Sequence, residues 1–94
     1  MGTVSIHLMN GFQLEKNTFT FCIDDTMSLY DLMHEWGAQE APEALGRLFH
    51  HETGYIAPTI LILLNGRSVK SDDPRKTMVS SGDRIAVTTI LVGG

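Results

Sequence analysis

From Thr3 the chain alternates: Val4, Ile6 and Leu8 are apolar, while Ser5 and His7 between them are polar. A period of two is the mark of a half-buried strand, whose successive side chains leave opposite faces. Asn10-Gly11 supplies turn chemistry and Glu15-Lys16-Asn17 a second polar break. Alternation then resumes in "TFTFCI", with Phe19, Phe21 and Ile23 on one side and Thr18, Thr20 and Cys22 on the other. Two alternating runs joined by turn residues predict an antiparallel hairpin.

The period changes at "DDTMSLYDLMHEWGAQ". Leu29, Leu32, Met33 and Trp36 recur at spacings of three, four and seven, which gathers them on one face of a helix. Thr26 or Ser28 can cap it, with Asp24, Asp25 and Asp31 near its positive end. A second, weaker helical stretch runs from Pro42 to about His50, with Leu45, Leu48 and Phe49 as its apolar side. Gly54 and Pro58 bracket a loop. "TILILLNGRSVKS" reads as a strand, an Asn65-Gly66 turn and a short strand. The connection 72–84 has room for one helical turn around Lys76 to Val79. Ser81-Gly82-Asp83 is turn chemistry, and "RIAVTTILV" is the closing strand.

The predicted order is β-β-α-(α)-β-β-β. Strands grouped around one principal helix call for an α+β layer, a sheet lying on that helix. With the final strand placed beside the first, this is a β-grasp: a mixed four- to five-stranded sheet on one main helix. Ile60 to Leu64 and Ile85 to Leu91 are apolar on both faces. One helix covers only one face, so the surplus side chains form an interaction patch unless the second helix or loop 51–58 covers them.

Ninety-four residues form a single domain, 1–94, with a flexible tail from about residue 90 to Gly94. A formal charge of -4, with the seven basic residues dispersed, gives no footprint for nucleic acid or an anionic membrane. Cys22 is the single cysteine, which excludes an internal disulfide and fits a reducing compartment. The N-terminal stretch lacks a basic start and a long apolar run, so it does not read as a secretory signal. The expected location is the cytoplasm.

The polar residues offer little convergent chemistry. His7, His34 and the pair His50-His51 lack the HxxxH, HExxH or CxxC spacing of a zinc site. Cys22 and His7 sit on the outward faces of neighbouring strands. A flat sheet face, however, provides neither a pocket nor a helix N-terminus to activate a thiol. The carboxylates Asp24-Asp25, Asp72-Asp73 and Glu40/Glu43 fall at helix starts or turns. No GxxxxGK or GxGxxG loop is present to cradle a nucleotide. An enzyme is therefore the weakest expectation.

What remains is "ILVGG". A solvated end is the plain reading. The alternative is a working one: glycine lacks a Cβ, so Gly93-Gly94 can thread a narrow channel and present an unshielded carboxylate. A carboxylate becomes an electrophile only after activation, and a partner would have to supply that step.

The combination Leu64-Asn65-Gly66, Ser81-Gly82-Asp83, Ile85 to Val87 and Gly93-Gly94 resembles the C-terminal half of the MoaD/ThiS sulfur-carrier proteins. These are relatives of ubiquitin with a β-grasp fold. The resemblance implies that an E1-like adenylating enzyme, MoeB- or ThiF-like, uses ATP and magnesium to activate the carboxylate of Gly94. Sulfur transfer then gives a thiocarboxylate, which donates sulfur to a biosynthetic enzyme, MoaE-like or other. It also implies that no cofactor is bound by this chain, and that Gly93 provides clearance. Thr88, Ile90, Leu91 and Val92 would form the arm that partners grip. Thr88-Thr89 stands where many MoaD members have prolines. Segment 38–58 exceeds the usual ThiS length, so a MoaD-like role in molybdopterin or tungstopterin synthesis leads. A thiamin or cysteine-pathway carrier and a ubiquitin-like modifier joined to lysine through Gly94 remain the alternatives.

Overall fold

A computed structural model describes residues 2–9 and 17–90. The elements run β1 (Gly2–Leu8), β2 (Thr18–Ile23), β3 (Thr26–Ser28), α1 (Leu29–Glu40), α2 (Pro42–Leu48), β4 (Ile60–Leu64), β5 (Arg67–Ser68), β6 (Met78–Ser80) and β7 (Arg84–Thr89). The main sheet has the order β2-β1-β7-β4-β5, and β3 and β6 form a second, two-stranded sheet. The fold is the ubiquitin-like β-grasp, with the last strand parallel to the first.

The alternation seen in sequence sets the faces. Val4, Ile6, Leu8, Phe19, Ile23, Ile60, Ile62, Ile85 and Val87 point to one side and are buried. There they meet Leu29, Leu32, Met33 and Trp36 of α1, all 0% exposed. The Phe19 and Trp36 rings meet edge to face at 5.2 Å, a favoured aromatic geometry. Helix α1 begins where Ser28 Oγ accepts from the Asp31 N–H at 3.0 Å, which settles the choice of cap in favour of Ser28. Thr26 instead lies in β3.

Three expectations need correction. The turn foreseen at Lys76–Val79 sits earlier: Asp73 Oδ1 accepts from the Arg75 N–H, and the Asp73 carbonyl accepts from Lys76 and Thr77. Met78–Ser80 then extends as β6, burying Val79 and pairing with β3, a strand too short to leave a periodic trace. The second helix stops at Leu48, because Phe49 is extended and bridges to Ile56. The closing strand ends at Thr89. The predicted turn at Asn10-Gly11 and most of the break at 15–17 lie outside the described residues.

The two helices meet closely. A Cβ added to Gly37 would come within 2.8 Å of Leu45 Cβ, so a larger residue there would force them apart. Segment 49–60 is tied down by two cations. Lys70 Nζ donates to the carbonyls of Ala57, Pro58 and Ile60 at 3.1, 3.0 and 2.6 Å. Arg75 donates to the Thr53 carbonyl at 3.0 Å, and its guanidinium lies 4.5 Å from the centre of the Tyr30 ring.

Candidate functional site

The closing strand β7 is central, hydrogen-bonded to β1 on one side and to β4 on the other. Its path is fixed at the start by a clasp between two turns. Asn65 Nδ2 donates to Asp83 Oδ1 at 3.0 Å, and Asn65 Oδ1 accepts from the Arg84 N–H at 2.8 Å. Asp83 Oδ2 also accepts from the Ser80 N–H at 2.9 Å, and the Asn65 N–H donates to the Arg84 carbonyl at 2.8 Å. Asn65 and Gly66 both hold positive φ, 54° and 84°, the requirement of a two-residue type I′ hairpin turn. The "LNG" and "SGD" segments quoted above are thus the two halves of one hydrogen-bonded unit. Their spacing in sequence gave no sign that they touch.

At the other end, Thr88 is half-buried and stands opposite Leu61, and the Ile90 N–H donates to the Thr59 carbonyl at 2.9 Å. Ile90, also half-buried, is therefore held at the sheet margin as the chain leaves β7. Leu91, Val92, Gly93 and Gly94, the rest of the expected arm and its reacting residue, lie outside the described residues.

The sheet face turned away from α1 carries one residue in two from each strand: Ser5, His7, Thr18, Leu61, Leu63, Arg84, Ala86 and Thr88. Leu61 and Leu63 stay half-buried there. Neither candidate cover lies over them, because Ala44 and Leu48 of α2 and Ile56 of the following loop join the core on the helix side. A shallow depression of about 440 Å³ opens on this face between His7, Thr18, Leu63, Arg84 and Ala86. Arg84 is the one formal charge among those outward strand residues, whereas Asp31, Glu35, Glu40 and Glu43 all lie on the two helices.

The other candidates do not converge. His7 and Thr18 are cross-strand neighbours, with Nδ1 and Oγ1 hydrogen-bonded at 2.9 Å. Cys22 faces Thr3 at the other end of the hairpin, so no thiol–imidazole pair forms. His34 Nδ1 donates to the Tyr30 carbonyl at 2.8 Å, and its ring stacks on Phe49 at 5.1 Å. His50 Nδ1 accepts from the Glu52 N–H. Among the described residues no group of three or more His, Cys, Asp or Glu side chains is placed to hold a metal ion. The Tyr30–His34–Phe49 stack escaped the sequence reading because it joins α1 to a loop nearly twenty residues away. No described helix is long and apolar enough to cross a membrane.

This arrangement defines a small protein of ubiquitin-like β-grasp fold whose closing strand is held on both sides and at both of its ends. Compared with protein-family profiles and with curated proteins, the sequence matches none. Solved structures share its fold. The HVO 2177 protein of Haloferax volcanii is 24% identical with a TM-score of 0.79, over 99% of this chain and 87% of that one. Small archaeal modifier protein 1 of Methanosarcina acetivorans is 16% identical with a TM-score of 0.75, over 100% and 98%. The complex of subunits 1 and 2 of the molybdopterin-converting factor of Helicobacter pylori contains a chain 18% identical, with a TM-score of 0.56, over 98% and 99%. At these identities the likeness is one of fold. That fold is the one expected from the sequence resemblance.

Proposed function

We propose that the protein is a sulfur carrier whose reactive group is the α-carboxylate of Gly94. The observation that carries this reading is the anchoring of β7. The strand is hydrogen-bonded on both sides, fixed by the Asn65–Asp83 clasp and tied as far as Ile90. Four residues separate that last tie from the carboxyl carbon, a reach of at most about 14 Å. A partner that docks on the sheet therefore controls where the carboxylate falls.

In the proposed reaction an E1-like enzyme, MoeB- or ThiF-like, binds ATP and magnesium. The Gly94 carboxylate attacks the α-phosphorus and pyrophosphate leaves, giving an acyl-adenylate. Hydrosulfide adds to the acyl carbon and AMP departs with the C–O electron pair, leaving a thiocarboxylate. This chain contributes no catalytic side chain to either step. It contributes the acyl group, the arm Ile90-Leu91-Val92, the clearance of Gly93, and the outer face around Thr88 for docking. The acceptor we propose is a MoaE-like subunit acting in molybdopterin or tungstopterin synthesis. One structure of similar fold is that of a molybdopterin-converting factor subunit bound to its second subunit.

Incubation with a cognate activating enzyme, ATP and sulfide tests the reading by intact mass. Replacement of one oxygen by sulfur adds about 16 Da, and the gain must disappear when Gly94 is deleted. An unchanged mass with MoeB- and ThiF-like enzymes alike defeats the proposal. A second reading, a modifier joined through Gly94 to lysine amines, draws on the likeness to a protein named as a small archaeal modifier. It predicts lysine-linked conjugates that are lost with the same deletion. A thiamin or cysteine-pathway carrier would show the same mass gain but transfer sulfur to a different acceptor.

A further inference from the structure

The main sheet has two edges, and they differ. The β5 edge is two residues long and carries Arg67, so it is blunted by shortness and charge. The β2 edge is six residues long, Thr18–Ile23, with no charge, no proline and no glycine. The Leu8 N–H donates to the Asn17 carbonyl at 2.7 Å. Antiparallel alternation then directs the backbone groups of Phe19, Phe21 and Ile23 to β1. Those of Thr18, Thr20 and Cys22, three exposed residues, face outward. Beside this edge a cleft of about 350 Å³ runs between the strand and the C-terminal half of α1. Thr20, Phe21, Cys22, Trp36, Gln39 and Glu40 line it.

Trp36 gives this cleft its second mark. Among the described residues its indole Nε1 is the one buried side-chain polar atom without a partner. An orphaned buried donor is costly, and here it belongs to a fully buried side chain beneath the cleft. Among the described residues lining the cleft, Glu40 is the one formal charge, and Asp24 and Asp25 follow β2 directly.

We propose that the β2 edge and the α1 flank form a docking groove for an extended partner segment that is apolar in alternation and carries basic residues. Thr18, Thr20 and Cys22 supply main-chain hydrogen bonds, so the segment adds as a sixth strand. Phe21, half-buried at the rim, receives its apolar side chains, and Trp36, sealed beneath it, senses their arrival. Glu40 and the Asp24-Asp25 pair select lysine or arginine. A second copy of this chain is disfavoured as the occupant, since two-fold pairing through β2 would bring two acidic rims together. The groove is separate from the closing strand and owes nothing to Gly94.

The test uses the full chain and the synthetic peptide acetyl-Lys-Val-Thr-Val-Thr-Val-Lys-amide. Its control has Glu in both Lys positions. Trp36 is the single tryptophan, so fluorescence and its indole N–H resonance report directly on the cleft. The basic peptide is expected to produce saturable shifts in Trp36 and in the amides of Thr18, Thr20 and Cys22. The acidic control is expected to bind roughly tenfold more weakly. Glu40→Lys narrows that difference. Thr20→Pro removes an outward N–H while sparing the ladder to β1, and weakens binding roughly fivefold. Deleting Gly94 leaves binding unchanged, which keeps this result apart from the sulfur-carrier reading. Absence of saturable shifts, equal binding of the two peptides, or shifts confined to another surface would overturn the proposal. So would concentration-dependent shifts of the same residues without peptide, which would make a second copy the occupant.

Discussion

Along each central strand, neighbouring residues meet opposite fates. Ile62 is sealed beneath α1 at 0% exposure, while Leu61 and Leu63 on either side of it remain half-open on the bare face. Val87 is likewise buried between Ala86 and Thr88, which are not. Composition barely distinguishes the two sides of β4, since Ile60, Ile62 and Leu64 lie on one and Leu61 and Leu63 on the other, all of them aliphatic. What differs is the layer opposite: one side has a helix and the other has none. An apolar residue therefore contributes to stability on one face and is available for contact on the other.

The sharpest way to break this contrast is to truncate both members of a neighbouring pair. Ile62→Ala is expected to cost about 3 kcal/mol through lost burial and a residual cavity, read from the urea midpoint at constant slope. The clasp comes next. Asp83→Ala removes acceptors for Asn65 Nδ2 and the Ser80 N–H, at a cost of about 1–2 kcal/mol by the same measurement. Ser28→Ala strips the α1 cap and costs about 1 kcal/mol. Leu63→Ala is expected to cost about 1 kcal/mol or less, yet to weaken binding of a partner that uses the open face, measured by titration calorimetry. If Leu63→Ala destabilised the protein as much as Ile62→Ala, the two faces would not be functionally distinct.

The sequence was most informative where a repeat could accumulate. Val4-Ile6-Leu8 and Leu29-Leu32-Met33-Trp36 disclosed both layers, and the placement of β7 beside β1 followed from topology. Shorter elements escaped. The strand β3 holds three residues, too few for a period, and β6 resembled a helical turn because Lys76 to Val79 lacks strand alternation before Val79. Ser28, rather than Thr26, proved to be the cap because the first turn is placed by burial of Leu29. Of the expected arm, Thr88 lies within the closing strand and Ile90 just beyond it, because the strand stops at Thr89 rather than running on to Val92. The clasp between Asn65 and Asp83 was hidden, although both residues had been singled out, because a contact across eighteen positions leaves no local signature.

Lys70 has a further consequence, for reactivity. An amine packed against three carbonyls on a half-buried side chain is screened from approach by an electrophile. Lys76, exposed in the turn before β6, has no such restraint. Limited treatment with an acetylating reagent, followed by peptide mass mapping, is therefore expected to label Lys76 ahead of Lys70. Unfolding in urea would erase the preference. The same tether that anchors loop 57–60 thus works as a protecting group, made of the protein's own backbone.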